Sequence, residues 1–219
     1  LIDENIKEQQ NLQKAEMKTL QAQITPHFLY NTFDTIIWLA ESEKKDAVIK
    51  ITRAFSDFFR ISLSKGHEWI TIAQELDHVR NYLTIQRIRY ADILDYTLDA
   101  DEGIGDIPVL KLVLQPLVEN AIQHGIEMTE SGGSIAITGA KEVDHLVFRV
   151  KDNGHGMSTE RQREVLARRD DNHFGLYNVH MRAVLNGDAG CGITLQSVEG
   201  KGTEAILTLK HLEEAPHYD

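Results

Sequence analysis

Only one cysteine, Cys191, occurs in the 219 residues, which excludes an internal disulfide and suits a reducing compartment. Long apolar runs are missing as well. The longest, such as Ile36-Ile37-Trp38-Leu39-Ala40, fall far short of the roughly 20 residues that cross a bilayer, so no spanning segment is predicted. Basic residues are in deficit: 23 Lys and Arg face 34 Asp and Glu, for a formal charge of −11. That balance disfavours non-specific attraction to nucleic-acid phosphates or anionic lipid headgroups, so nucleic acid is not an expected partner. Internal repeats and low-complexity tracts are absent too. What is present, 42% hydrophobic and 26% charged residues, is ordinary for a globular chain and excludes a disordered or collagen-like one. The length accommodates one large or two small domains. The chain opens on Leu1 with no signal-peptide pattern, and it reads as a piece of something longer.

Residues 1–40 hold no glycine and a single proline, Pro26, and their texture predicts a long helix. Steps of four and three place Ile6, Gln10, Gln13, Met17, Leu20, Ile24 and His27 on one seam. So narrow an apolar stripe, weakened by glutamines, favours pairing with a second copy of the chain. A second helix is predicted over 46–64, where Val48, Ile51, Phe55, Phe58, Phe59 and Ser62 recur at helical spacing before Gly66. The two would make a hairpin that, doubled in a homodimer, gives a four-helix bundle. A third helix over 72–90, carrying Leu76, Val79, Leu83 and Ile85, could connect this region to the next.

Beyond Tyr90 the texture changes. Residues 93–99 alternate like a strand, 103–108 read as a loop, and 109–124 read as a mostly apolar helix started by Pro108. Short β-rich runs follow at 134–138, 146–150, 193–197 and 204–209, with a helix at 176–185 among them. The expected fold class is α+β: a helical hairpin forming the dimeric bundle in 1–90, then a two-layer α/β sandwich in 91–219 with helices on one face of its sheet.

The second region carries three glycine-marked segments and no GxxxxGK[ST] loop. The first is Glu119 to Gly125, in which Asn120 and His124 fall one helical turn apart on one face. The second, Asp152-Asn153-Gly154-His155-Gly156, follows a strand directly, so a carboxylate sits at the sheet's end beside a flexible turn. The third pairs Gly175-Leu176, opening a helix, with Gly200-Lys201-Gly202-Thr203, a turn between strands. Each alone is an ordinary structural feature, since most such turns are only turns.

In this order and context the set resembles the Bergerat ATP-binding fold, shared by histidine kinases with gyrase-type and heat-shock chaperone ATPases. The resemblance covers about residues 105–210. It implies ATP as ligand, Asn120 as the Mg2+ residue through its amide oxygen, and Asp152 as acceptor from the adenine amino group. It adds His124, Gly154, Gly156, Gly175, Leu176, Gly200, Gly202 and Thr203 to the nucleotide site, with 158–173 as a basic lid over the phosphates. The segment QAQITPHFLYN over 21–31 closely resembles the phosphoacceptor segment of LytS/YesM-type sensor histidine kinases. LQPLVENA over 114–121 and GLYNV over 175–179 are similar to that subgroup's versions.

What this resemblance implies is a sensor histidine kinase core. ATP would phosphorylate His27, and the phosphoryl group would pass to an aspartate on a response-regulator receiver domain. The core would be the cytoplasmic portion of a cell-membrane protein, reaching the membrane only through an upstream segment absent from this chain. Imidazole chemistry agrees, because a neutral ring near pH 7 can attack a γ-phosphorus. Two departures stand out. Phe28, not an acidic residue, follows His27, which leaves the proton acceptor open, and Pro116 occupies the place where water-activating ATPases carry a polar group. Glu119, the nearest carboxylate to Asn120, has two open roles: orienting His27 or capping the pocket. For Asn31, one turn after His27, the open roles are orienting a water for attack on the partner's phosphoaspartate, or else satisfying a neighbouring backbone group or fixing the His27 ring. His67, His78, His145, His211 and His217 lack metal-ligand spacing and are expected to be exposed, with His180 on a helix surface. The competing functions are an ATP-hydrolysing clamp and an ATP-gated signalling adaptor without kinase activity.

Overall fold

The computed structural model describes residues 26–62, 68–90, 93–126, 132–167 and 174–215. The upper part of the predicted seam, from Ile6 to Ile24, lies outside the described residues, as do Gly66, residues 168–173 of the expected lid, and the side chain of His124. The chain divides into two compact units between Arg53 and Ala54.

The first unit holds helix α1, Pro26–Glu41, and the first half of α2, Lys45–Ser62. Between them the Lys44 amide reaches back to the Leu39 carbonyl at 2.9 Å and the Glu43 amide to that of Ala40 at 3.1 Å, closing α1 as a Schellman turn. Glu43 takes the left-handed position, φ 56°, usually given to glycine. Along α1, Phe28, Thr32 and Leu39 are buried, while Tyr30, Phe33, Ile37 and Trp38 are exposed.

In the second unit, strand β1 (Trp69–Thr71) leads straight into helix α3 (Ile72–Arg89). Thr71 Oγ1 accepts from the Gln74 amide, and Gln74 Oε1 accepts from that of Thr71, a reciprocal cap that fixes the helix start. Strand β2 (Leu94–Ala100) and strand β3 (Pro108–Leu110) come next. Then follow helix α4 (Gln115–Asn120), a π-helical turn (Ala121–Ile126), strands β4 (Gly133–Glu142) and β5 (His145–Asp152), helices α5 (Thr159–Ala167) and α6 (Phe174–Leu185), and strands β6 (Gly192–Val198) and β7 (Gly202–Lys210). The main sheet has five strands in the order β2-β4-β5-β7-β6. Its β2–β4 pair is parallel and the rest antiparallel. Alternate residues of the strands bury Ile135, Ile137, Phe148, Val150, Ala205, Leu207 and Leu209, and the π turn and α6 lie against this sheet. The described residues adopt the expected α+β class, helices followed by a mixed sheet with helices against it.

One predicted element is corrected. Instead of a helix from Val109 to His124 there is a short strand, β3, paired antiparallel with β1, then a turn, and α4 starts only at Gln115. A short stretch that is apolar but for Lys111 reads equally as strand or buried helix, and the proline opening the helix is Pro116, not Pro108. Strand β1 was not foreseen. The expectation that His78 is exposed is also overturned. On α3 it is fully buried, stacked on Phe58 at 4.4 Å between ring centres, with Nε2 2.8 Å from Ser62 Oγ. That hydroxyl donates to the Phe58 carbonyl at 2.9 Å, so His78 Nε2–H is the donor of the pair.

Candidate active site

Asp152 ends β5 with 4% of its surface exposed. Its Oδ1 accepts from the Gly154 amide at 2.8 Å and from the Thr203 amide at 3.3 Å. Burial raises the carboxyl's pKa above its ordinary value, and the two amides oppose that shift. The loop after Asp152 is fastened to the β6–β7 hairpin. The Gly200 amide donates to the His155 carbonyl at 2.6 Å, and Ser197 Oγ accepts from the Met157 amide at 2.7 Å while donating to the Gly202 carbonyl at 3.0 Å. Glycine is obligatory here because of the protein's own backbone: at Gly156, φ 67°, a Cβ would lie 2.1 Å from the Val198 carbonyl oxygen, and at Gly202, φ 97°, one would lie 2.1 Å from that of Asp152. Gln162 on α5 adds a bond from Nε2 to the Ser197 carbonyl at 2.9 Å. Ser197 and Gln162 escaped the sequence reading, since nothing in their spacing separates them from ordinary strand and helix residues.

Asn120 is the last residue of α4, partly buried, and the backbone widens into the π turn directly after it. Such widenings re-aim side chains and recur at functional sites. The π turn lies against β4, β5 and β7. One turn before, Gln115 Nε2 donates to Glu119 Oε1 at 2.7 Å. Burial raises the Glu119 pKa, and the Gln115 bond pulls it back. A Cβ on Gly175 would sit 3.3 Å from Pro116 Cβ, so the first turn of α6 approaches that of α4 closely, and Leu176 beside it is buried. The structure thus joins Asp152, Gly154, Gly156, Gly200, Gly202 and Thr203 in one bonded corner, and sets Gly175 against the α4 turn that leads to Asn120.

Glu75 on α3 is a third residue that sequence reasoning missed. It is fully buried, and its carboxylate accepts from three consecutive amides ahead of α4: Leu112 at 2.9 Å, Val113 at 2.8 Å and Leu114 at 2.8 Å. Burial raises its pKa against those three bonds and the Arg182 charge. The same packing lowers the pKa of Lys111 and of Arg182, which Glu75 counters. A signal was available: Glu75 falls on the apolar face of α3 set by Ile72, Leu76 and Val79, where an acidic side chain needs partners.

The other unit carries His27, exposed on the first turn of α1. The Asn31 side-chain amide nitrogen lies 3.1 Å from its Nδ1 and 3.0 Å from its Nε2, so the amide sits over the ring.

The family model for histidine kinase matches residues 15–94, and that for the histidine kinase-, DNA gyrase B-, and HSP90-like ATPase matches residues 105–213. The chain belongs to the histidine kinase family. Sensor histidine kinase YesM of Bacillus subtilis (strain 168) is 36% identical over 209 residues, covering 95% of this chain and 36% of YesM. Sensor protein LytS of Oceanobacillus iheyensis is 34% identical over 181 residues, covering 79% of this chain and 31% of LytS. The chain therefore spans about a third of the length of these two kinases. The catalytic domain of histidine kinase ThkA shares the fold, with a TM-score of 0.51 at 21% identity, covering 65% of this chain and 95% of that domain. No helix among the described residues of this family member is long and apolar enough to cross a membrane.

Proposed function

We propose that this chain is a kinase core in which ATP phosphorylates His27 and the phosphoryl group then passes to an aspartate of a response-regulator receiver domain. The observation that carries the reading is the bonded corner around Asp152. A buried carboxylate there is held through one oxygen by protein amides, and we assign its other oxygen to the exocyclic amine of adenine. Guanine presents a carbonyl at that place, which a carboxylate repels. The first turn of α6, beginning around Gly175 and Leu176, supplies amides suited to phosphate oxygens. Asn120 offers an oxygen donor of the kind hard cations take, and we assign it to Mg2+; charge neutralisation at the phosphates is what that ion supplies. His124, Gly154, Gly156, Gly200, Gly202 and Thr203 complete the proposed nucleotide site.

In the first step one ring nitrogen of His27 attacks the γ-phosphorus, the bond to the bridging oxygen breaks, and ADP leaves. The product is a phosphoramidate, reactive enough to hand its phosphoryl group to a carboxylate. Exposure of His27 suits both encounters, and Glu119 is a partly buried carboxylate placed one residue before Asn120. Functionally we assign dimerisation and phosphoacceptance to residues 1–90, with α3 as connector, and ATP binding to 91–219. The exposed Tyr30, Phe33, Ile37 and Trp38 of α1 support pairing with a second copy in a four-helix bundle. By family likeness we place the chain on the cytoplasmic side of a membrane-anchored protein. Incubation with γ-labelled ATP tests the class. Acid-labile, base-stable label on the protein is the expected result; free phosphate alone would indicate a hydrolysing clamp, and neither product an adaptor.

A further inference from the structure

At the opposite end of β5 from Asp152, three side chains with different donor atoms converge. His145 opens β5, Cys191 precedes β6, and Asp188 lies in the loop joining α6 to β6. His145 Nε2 is 3.0 Å from Asp188 Oδ1, that oxygen is 3.7 Å from the Cys191 sulfur, and all three donor atoms lie within 4.8 Å of one another. A tetrahedral zinc ion, with bonds of about 2.0–2.3 Å, holds its donors about 3.3–3.8 Å apart. We propose that His145, Asp188 and Cys191 form a binding site for a thiophilic divalent cation, with Zn2+ the best match.

The donor set fits that chemistry. One imidazole, one carboxylate and one thiolate carry a combined charge of −2, which balances the ion and leaves a fourth position for water. Binding releases the Cys191 thiol proton, and His145 ligates through Nε2 as the neutral imidazole with its one proton carried on Nδ1; no oxidation state changes. Thiolate and imidazole select against Mg2+, so the cation that accompanies ATP does not compete.

The loop is shaped for access. Asp188 is already aimed, because its Oδ1 also accepts from the Gly190 amide at 3.0 Å. A side chain on Gly187 would start 2.4 Å from the Cys191 sulfur, and one on Gly190 would start 3.5 Å from His145 Nε2. Glycine at both positions keeps other atoms out of the space around the donors. The His145 and Asp188 side chains are 30% and 46% exposed, which gives an ion its way in, while Cys191 is buried behind them. Burial raises the thiol's pKa, the hydrogen bond from the Asp188 amide opposes that, the Asp188 carboxylate adds to it, and the Lys210 charge works weakly the other way. A bound ion would staple the start of β5, the start of β6 and the C-terminal end of α6 together.

Titration of the purified chain with Co2+, a spectroscopic stand-in for Zn2+, tests the site. The expected result is a single equivalent bound with a thiolate-to-cobalt charge-transfer band in the near ultraviolet, abolished by Zn2+ and unaffected by excess Mg2+. Cys191→Ser should lose the band. His145→Ala and Asp188→Asn should each weaken Co2+ binding at least about tenfold. Those two positions are partly exposed, so the test stands even if the buried Cys191→Ser variant fails to fold. A parent chain that shows no charge-transfer band at saturating Co2+, or His145→Ala and Asp188→Asn variants that bind as tightly as the parent, would overturn the proposal.

Discussion

In the proposed nucleotide corner the chemistry is concentrated in one carboxylate, that of Asp152. Asp152→Asn keeps the shape of the side chain and removes the charge from the proposed adenine bond. It should weaken ATP binding roughly 10- to 150-fold, measured by calorimetric titration. Because burial raises the folded-state pKa above 3.8, nucleotide affinity of the parent should fall on acidification with a midpoint above that value, and the Asn variant should lack this limb. Asn31 poses a sharper alternative. Its amide already reaches the His27 ring nitrogens at 3.0 and 3.1 Å, a geometry that suits holding the ring. Asn31→Ala, assayed separately for autophosphorylation and for phosphatase action on a phosphorylated receiver domain, should lose both if ring orientation is its role. Loss of the phosphatase action alone would instead assign it the water. The placement of Asp152 at a strand's end beside a glycine turn and of Asn31 one turn from His27 was legible as local pattern, whereas their expected roles came from the family resemblance alone. Ser197 and Gln162 were not legible, because their bonds run between segments distant in the chain.

At the scale of elements, α3 and α4 are joined by one side chain. Glu75 gathers the three amides that precede α4, so the helix ending in Asn120 hangs from a carboxylate on the helix expected to be a connector. Glu75→Gln leaves one acceptor and places an NH2 where an amide already points. It should cost about 1–3 kcal/mol in urea unfolding, and Glu75→Ala more. If Glu75 also positions Asn120, the Gln variant should bind ATP with a reduced Mg2+ dependence; an unchanged dependence would confine it to stability. Why α4 was misplaced in the sequence reading has the same root. Residues 109–114 are apolar apart from Lys111, and what makes their first part a strand is the edge offered by β1, about forty residues earlier in the chain, which no local period records. The four strands of the antiparallel part of the sheet, by contrast, announced themselves through alternation between glycine turns.

At the scale of the whole molecule, the buried His78 ties stability to pH. Burial, with Lys111 nearby, lowers its pKa from 6.5 to about 3. The unfolded chain therefore takes up a proton that the folded chain refuses, and stability falls as pH is lowered through that window. The full effect is of order 5 kcal/mol at its acidic end. His78→Leu should flatten this part of the pH profile of the urea midpoint relative to the parent. The proposed function needs two units that the sequence marks by separate motifs, one carrying the histidine and one the proposed nucleotide corner. Their division of labour is the central claim, and His27→Gln tests it most directly. With γ-labelled ATP, the variant should take up no acid-labile label while its affinity for ATP stays within about twofold of the parent. Acid-labile label retained by the variant would contradict the account.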